Sequence, residues 1–393
     1  MTPLSPKKEP KTGAPIKPRL VAEIGLNHVG NVKIAEQLTI LAAKAGAWAV
    51  KYQAFQTSNF IHPESPYFEE FKSEELSFED LAKVMDLAHR EGVKVGLTVF
   101  DSLGLKLALS AKADYLKISS GDITYHQLLH QAVQTGLPIV ISTGASSWAE
   151  VKKAMSICGP SLLAVLQCTS LYPCPLDLVN LAVLNRWLEG HWPAGLSDHT
   201  LDLEASKGAF GLGAVMVEKH ITMDRHLPGG DNYVSATPID FMNLAEMNET
   251  IFEAKMLGHN PPQKGPQSSP QSPPKKAPTP PPPLFSLSAL AQSPLWGSRD
   301  KEVQRGESPQ MIRRAAVALG DLKKGDKVTL EKIIFLRPPD NLLSPPLGPD
   351  KLLPDLRLKR SVNKGSVILL SDLDDPVEIC CQAPLAQNPE TFL

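Results

Sequence analysis

The sequence predicts an α/β chain: a TIM (β/α)8 barrel followed by a small, mostly-β domain. Two observations predict the barrel. From Leu20 onward short apolar runs alternate with amphipathic stretches, and eight such pairs fill roughly 240 residues, the usual size and order of that fold. A third observation predicts the second domain: composition breaks after Gly258, and beyond the break the chain carries an internal echo.

Taken in order, residues 1–18, MTPLSPKKEPKTGAPIKP, are rich in Pro and Lys without periodic apolar pattern and are expected to form a disordered arm. The barrel is assigned to residues 19–258. Its strands are read in RLVAEIG, WAVKYQ, KVGLTVF, DYLKIS, PIVIST, LLAVLQC, WPAGLS and AVMVEKH, short runs suited to strands buried on both faces. Between them VKIAEQLTILAAKAG, FEDLAKVMDLAHREG and AEVKKAMSICG read as helices, and Gly46, Gly92 and Gly136 fall where a helix hands over to the next strand. The eighth helix is read from about Pro238 to Leu257.

Residues 259–309 are assigned to a Pro-rich linker. Within it 261–283 is nearly half proline, contains no aromatic or β-branched apolar residue, and cannot bury enough surface to offset its ordering entropy; 284–310 is too poorly patterned to assign. The second domain is read over 310–375. It holds the echo LKKGDKVTLEKI (322–333) and VNKGSVILLSDL (362–373), each with a Lys-Gly step suited to a tight turn. The tail, 376–393, is read as flexible.

A formal net charge of -2 gives no bulk electrostatic reason for binding nucleic acid or a membrane surface. No apolar run is long enough to span a bilayer. The five cysteines are odd in number and lack metal-finger spacing, so free thiols in a reducing cytoplasm are expected. Cys168 and Cys174 flank one loop and default to inert buried thiols.

A barrel of this type keeps its chemistry at the carboxyl ends of its strands, and there every run turns polar. Glu23 ends the first, with Asn27 and His28 just after; Lys51 and Gln53 end the second; Thr98 the third; Lys117, Ser119, Ser120 and Asp122 the fourth; Ser142 and Thr143 the fifth; Gln167, Thr169, Ser170 and Tyr172 the sixth; Ser197, Asp198 and His199 the seventh; Glu218, Lys219 and His220 the eighth. One polar end would be unremarkable, because every strand must leave the core. Eight of them predict a single convergent site.

Lys51 and Lys117 among hydroxyls suit an anion with several oxygens; a Schiff-base lysine is the rival reading. His199 and His220 end adjacent strands and could meet on one metal, with Glu218 and Glu23 nearby. Mn, Fe and Zn all suit such a set, and open positions filled by substrate or water fit a Lewis acid. His28 is a weaker candidate, and Lys219 is left without a role.

Together AEIGLNHVGN (22–31), VKYQ (50–53), LKISSGD (116–122), QCTSLYPCP (167–175), GLSDHT (195–200) and VEKHITMD (217–224) resemble the sialic acid synthase family over nearly all of residues 20–257. IRRAAVALGDLKKGD and FLRP resemble the antifreeze-like (SAF, β-clip) domain that follows the barrel there. The resemblance implies condensation of phosphoenolpyruvate with an N-acetylmannosamine-type aldose to a nine-carbon 2-keto sugar acid, with release of phosphate. It implies a divalent metal on His199 and His220, most often Mn2+, with Mg2+ or Co2+ as substitutes. It further implies phosphoenolpyruvate held by Lys51, Thr98, Lys117, Ser120, Ser170, Tyr172 and Ser197, with Glu23 acting near the reacting centre as acid/base or by orienting the sugar, and Asp231 on sugar hydroxyls; Glu218 is assigned as catalytic beside Glu23. Arg314, with Arg313 as its close rival, is implied to reach a partner's site in a domain-swapped cytoplasmic homodimer. The Pro-rich stretch is longer than the family's usual connection. Rival functions are the same chemistry on another aldose, legionaminic- or pseudaminic-type, and a non-catalytic carbohydrate-binding protein.

Overall fold

The alternating apolar runs do form strands. In the computed structural model, which describes residues 17–259, 287–298 and 300–374, they are β1 (Arg19–Glu23), β2 (Ala49–Ala54), β3 (Lys94–Val99), β4 (Tyr115–Ile118), β5 (Ile139–Ser142), β6 (Leu162–Cys168), β7 (Ala194–Asp198) and β8 (Met216–His220). All are parallel and close in chain order, β1 pairing β8 from Arg19 with Met216 to Glu23 with His220. The disordered arm proposed for 1–18 falls outside the described residues except at Lys17 and Pro18; linker residues 260–286 and the tail 376–393 fall outside them entirely.

Local sequence sets the helix starts. Asn31 caps α1 (Val32–Lys44) by accepting from Lys33 N. After the short α2 (Phe68–Ser73), Ser77 caps α3 (Phe78–Arg90), which carries Glu79 and Asp80 in its first turn and His89 and Arg90 in its last, matching the helix dipole at both ends. Asp101 caps α4 (Ser102–Ser110), and Ser147 with Glu150 forms a capping box on α6 (Trp148–Cys158), which follows α5 (His126–Gln134). Then come α7 (Leu181–Glu189), α8 (Glu204–Leu212) and α9 (Pro238–His259). Gly46, Gly92 and Gly136 each have positive φ where the helix ends, as their sequence positions require. No described helix is long and apolar enough to cross a membrane.

Two cores result. The larger lies between strands and helices; the smaller fills the barrel itself with Val21, Ala49, Tyr115, Val140, Ala164, Leu166 and Met216. Gly96 belongs to that second core by absence: a Cβ there would stand 2.3 Å from the Tyr115 ring. Side chains on a strand alternate faces, so the residues two positions beyond this plug also point inward. From Val21, Ala49, Tyr115, Val140, Leu166 and Met216 that step leads to Glu23, Lys51, Lys117, Ser142, Cys168 and Glu218, all buried. The apolar plug is the floor and the polar layer lies directly on it.

The same alternation sends Asp198 and Lys219 outward. Lys219 Nζ lies 3.0 Å from Asp198 and donates to Thr200 O at 2.8 Å, while Ser206 of α8 donates to the same carboxylate at 2.6 Å. These strand-end charges lock the β7–α8 connection and take no part in the cavity.

Residues 287–309, unpatterned in the sequence, form a strap held to the barrel at a few buried residues. Helix α10 (Leu287–Ala291) buries Leu290 in the outer core, and Leu295 follows it there. Leu181 N and Ala182 N donate to Leu295 O and Trp296 O, and Trp148 N to Lys301 O. This strap crosses from α7 to α6 with so few apolar anchors that no period marks it.

The second domain is built around β9 (Ala315–Ala318), antiparallel to β10 (Ile333–Leu336), which follow one helical turn, α11 (Pro309–Ile312). The echo is visible in it. Gly325 and Gly365 both have positive φ, and Leu322 and Val362, the first residues of the two repeats, bridge each other. Its core comprises Ala316, Val328, Phe335, Leu347, Leu358 and Ile368 among others.

Removing one member of a buried ion pair strands the other charge, at about 3–5 kcal/mol. Lys219→Met is therefore expected to lower the barrel's unfolding free energy by that amount in urea titrations; a loss below about 1 kcal/mol would mean the pair is not structural.

Candidate active site

The inward polar layer opens into a cavity of about 360 Å³ at the carboxyl ends of the strands. Its inner half is cationic. Lys51 Nζ donates to Thr98 Oγ1 at 2.9 Å and lies 2.6 Å from Glu23 Oε2. Lys51 and Lys117 each stand 3.8 Å from Glu218 Oε1, which also accepts from Ser197 Oγ at 3.1 Å. Burial pulls the pKa of Lys117 down. Burial also works upward on Glu218, but Lys117 and Lys51 outweigh it and hold that carboxyl below its ordinary range. Burial raises Glu23 despite Lys51, so this carboxyl takes up a proton more readily than a free glutamate.

Around the lysines stand hydroxyls. Ser120, Ser142, Ser170 and Ser197 line the cavity with Thr98. Ser142 Oγ is buried without a partner, and Gly144 N donates to Ser120 Oγ at 2.9 Å. A Cβ on Gly144 would meet Ser170 Oγ at 2.0 Å and Ser120 Oγ at 2.9 Å, so glycine is needed for these hydroxyls to converge. Two lysines, converging hydroxyls and an orphaned hydroxyl are a donor set that suits an oxyanion with several oxygens. Both cavity lysines have the same carboxylate neighbour, Glu218 at 3.8 Å, and stand among hydroxyls, which favours the anion reading over the Schiff base.

Beside the anion half lie the two histidines, ring centroids 5.7 Å apart. His199 donates Nδ1–H to Thr169 O at 2.8 Å and its Nε2 stands 2.9 Å from Tyr172 Oη; burial works downward on its pKa, but Cys168 and Thr169 O outweigh it and raise it. A second-nitrogen bond to a backbone carbonyl is the usual support of a metal-ligating imidazole. His220 Nδ1 is buried without a hydrogen bond, 3.4 Å from Asp231 Oδ2, and burial holds its pKa well below the ordinary value, so the ring is neutral and able to ligate. Among the described residues no three His, Cys, Asp or Glu side chains converge as a metal group. The pair thus fits a divalent ion that draws its remaining ligands from substrate and water.

The structure brings Glu23, Lys51, Thr98, Lys117, Ser120, Ser170, Tyr172, Ser197, His199, Glu218, His220 and Asp231 onto one cavity wall. It does not bring Arg314 there. Arg314 is buried between the two domains, donating to Asp122 Oδ1 at 2.7 Å, Phe335 O at 3.1 Å and Phe100 O at 3.2 Å. Arg313 braces Ala145 O and Ser146 Oγ, both at 3.0 Å. The arginine on the cavity is Arg337, which stacks over Phe60 at 4.4 Å; its Nε is buried without an acceptor, and burial lowers its pKa to about 10. The FLRP motif contains Arg337, so its signal was present in the sequence. His28 does not line the cavity: its Nδ1 accepts from Gly30 N at 3.1 Å ahead of α1, and burial lowers its pKa to about 4.

Glu307, on the strap, has no signal in the sequence. Its buried carboxylate accepts from Ala145 N at 2.7 Å and Ser170 N at 2.6 Å through one oxygen, and from Gln304 N at 2.7 Å through the other. It ties the loop after β5 to the loop after β6, the two loops that carry Gly144 and Ser170.

The NeuB family model matches residues 38–260. The N,N'-diacetyllegionaminic acid synthase of Legionella pneumophila is 31% identical, over 82% of this chain and 88% of its own length. The crystal structure of the spore coat polysaccharide biosynthesis protein spsE of Bacillus subtilis superposes with a TM-score of 0.73 at 25% identity, covering 93% of this chain and 96% of that one. The N-acetylneuraminic acid synthetase of Leptospira borgpetersenii, solved with citrate, gives a TM-score of 0.58 at 30% identity over 65% of this chain and 88% of that one.

Hydrogen bonds to a charged partner contribute about 1.5–3 kcal/mol each. Glu307→Ala is expected to speed amide hydrogen exchange at Ala145 and Ser170 at least tenfold without altering exchange in β1; unchanged protection at both amides would contradict the tie.

Proposed function

The chain belongs to the NeuB family, and we propose that it is a sialic-acid-type synthase that condenses phosphoenolpyruvate with an N-acylated amino-sugar aldose. The observation that carries this reading is the junction of an oxyanion receptor, Lys51 and Lys117 with their hydroxyls, and an imidazole pair within one cavity. A carbohydrate-binding scaffold has no need for two buried lysines around one glutamate.

In this reading the lysines, Thr98, Ser120, Ser142, Ser170, Ser197 and the Gly144 cradle hold the phosphate and carboxylate of phosphoenolpyruvate. Carbon 3 of its enol bonds to the sugar aldehyde carbon, whose oxygen takes a proton; Glu23, with its raised pKa and its place beside Lys51, is the group suited to hold that proton. Water adds at carbon 2 and phosphate leaves by carbon–oxygen cleavage, giving the 2-keto acid. Glu218 holds the charge balance between the lysines as anionic groups arrive and depart. Tyr172 and Asp231 orient the sugar from the rim. A divalent metal, Mn2+ by the resemblance and with Mg2+ or Co2+ as substitutes, would sit on His199 and His220 and supply Lewis-acid polarisation of the aldehyde.

The small domain is read as the antifreeze-like module, with Arg337 as its contribution to the site. In this chain it seats on its own barrel through the Ile61–Arg337 bridge and the Arg314–Asp122 pair. The cytoplasmic homodimer implied by the resemblance would make the same contacts between two copies. A second acceptor class, legionaminic- or pseudaminic-type, uses the same chemistry.

The test is phosphate release that requires both phosphoenolpyruvate and an N-acylated aldose, with a 2-keto acid formed in equal amount; release from phosphoenolpyruvate alone would favour a hydrolase. His220→Ala is expected to abolish turnover with an unchanged melting profile, and a fully active variant would remove the metal assignment. Mixing His220→Ala with Arg337→Ala chains decides the domain arrangement. Exchanged domains restore about a quarter of wild-type turnover, since one site in each mixed dimer is then intact; no recovery would place each domain on its own barrel.

A further inference from the structure

The strap holds to the barrel in two chemically different ways. Leu290 and Leu295 sit in the outer core. Lys301 and Glu307 are buried as well, although they are charged, and both bond to backbone at the strand ends. Lys301 Nζ donates to the carbonyl of Cys168, the last residue of β6, at 3.1 Å. Burial lowers the pKa of Lys301, and Glu307 is the strongest influence against that shift. One oxygen of Glu307 accepts from Ala145 N after β5 and from Ser170 N after β6.

Ala145 has a φ of 48°, in the left-handed region that a residue with a Cβ keeps only when its surroundings impose it. Glu307 holds its N–H and Arg313 holds its carbonyl, so both constraints come from beyond the barrel. The residue before it is Gly144, whose amide donates to Ser120 Oγ and whose missing Cβ leaves the space that Ser170 Oγ takes. The fold of this loop therefore decides whether Ser120 and Ser170 converge.

Resting on the reading of the cavity as a phosphoenolpyruvate site, we infer that Glu307 and Lys301 are positioning residues for that anion: the barrel folds without them, but its hydroxyls converge only when the strap is seated. Neither side chain lines the cavity, so each acts through the loop it holds. A carboxylate suits the task because a single charged oxygen can accept from amides on two loops, and such charge-assisted bonds are about twice as strong as neutral ones.

The test titrates phosphoenolpyruvate calorimetrically into the full chain, without sugar, for the wild type, Glu307→Ala, Glu307→Gln and Lys301→Met, with a melting profile for each. Loss of bonds to a charged acceptor is expected to weaken binding about tenfold or more in Glu307→Ala. The KM for phosphoenolpyruvate should rise in step, while the KM for the sugar moves less than about twofold. Glutamine keeps an oxygen for Ala145 N and Ser170 N, so Glu307→Gln is expected to bind within about threefold of the wild type. Lys301→Met removes a buried charge while keeping most of its volume, and should bind at least about threefold more weakly. Wild-type affinity in Glu307→Ala, or in Lys301→Met should the alanine variant not fold, would overturn the inference. So would a glutamine variant as weak as the alanine one, or a lowered melting point with both KM values raised alike, which is what a purely structural role gives. A wild type that binds no phosphoenolpyruvate would instead remove the reading of the cavity, and the inference with it.

Discussion

The site depends on one electrostatic constraint: two lysines share one glutamate in the buried polar layer directly above the apolar plug. Lys51 and Lys117 each stand 3.8 Å from the same Glu218 oxygen. Two buried ammonium groups without a counter-charge would lose a proton, because burial disfavours the charged form. Glu218 keeps Lys51 charged, helped by Glu23, while Lys117 stays the easier of the two to discharge. Two ammonium groups thus face two carboxylates, and the hydroxyls around them, Ser142 Oγ among them without a partner, leave hydrogen-bonding capacity for an oxyanion.

Backbone periodicity positions that trio. Tyr115, Ala49 and Met216 plug the barrel, and two residues further along the same strands come Lys117, Lys51 and Glu218. Neighbouring strands hold them in register, with Glu23 beside both Lys51 and His220, and Ser197 beside Glu218. The loops above are less constrained by the sheet and are held from outside. Glu307 and Arg313 fix the loops after β5 and β6, and Arg314 fixes the small domain against Asp122. The C-terminal third of the chain therefore braces the loops around the two lysines and adds Arg337 to the cavity wall.

Much of this was legible in the sequence, because strand alternation and the polar strand ends are local signals. The same alternation distinguishes Glu218 and His220, which face inward, from Lys219, which faces out with Asp198. The strap was not legible: Leu290, Leu295, Lys301 and Glu307 act through contacts with distant loops, and no spacing announces them. The choice among the arginines failed for a related reason. Arg313 and Arg314 are adjacent and basic, but the docking of the small domain turns both into structural braces and brings Arg337 to the cavity. The wall of the cavity mouth depends on which side chains from α2 and from the segments after β2, β3 and β10 meet, which a linear reading does not order.

The most direct test of the central claim is calorimetric titration of phosphoenolpyruvate into the protein with no sugar present, for the wild type and for Lys117→Met. The account predicts one site per chain in the wild type. It predicts at least tenfold weaker binding in the variant, as expected when a charge-assisted contact worth about 1.5–3 kcal/mol is removed. Equal affinity in the two proteins would contradict it, because the paired lysines would then not be the anion receptor.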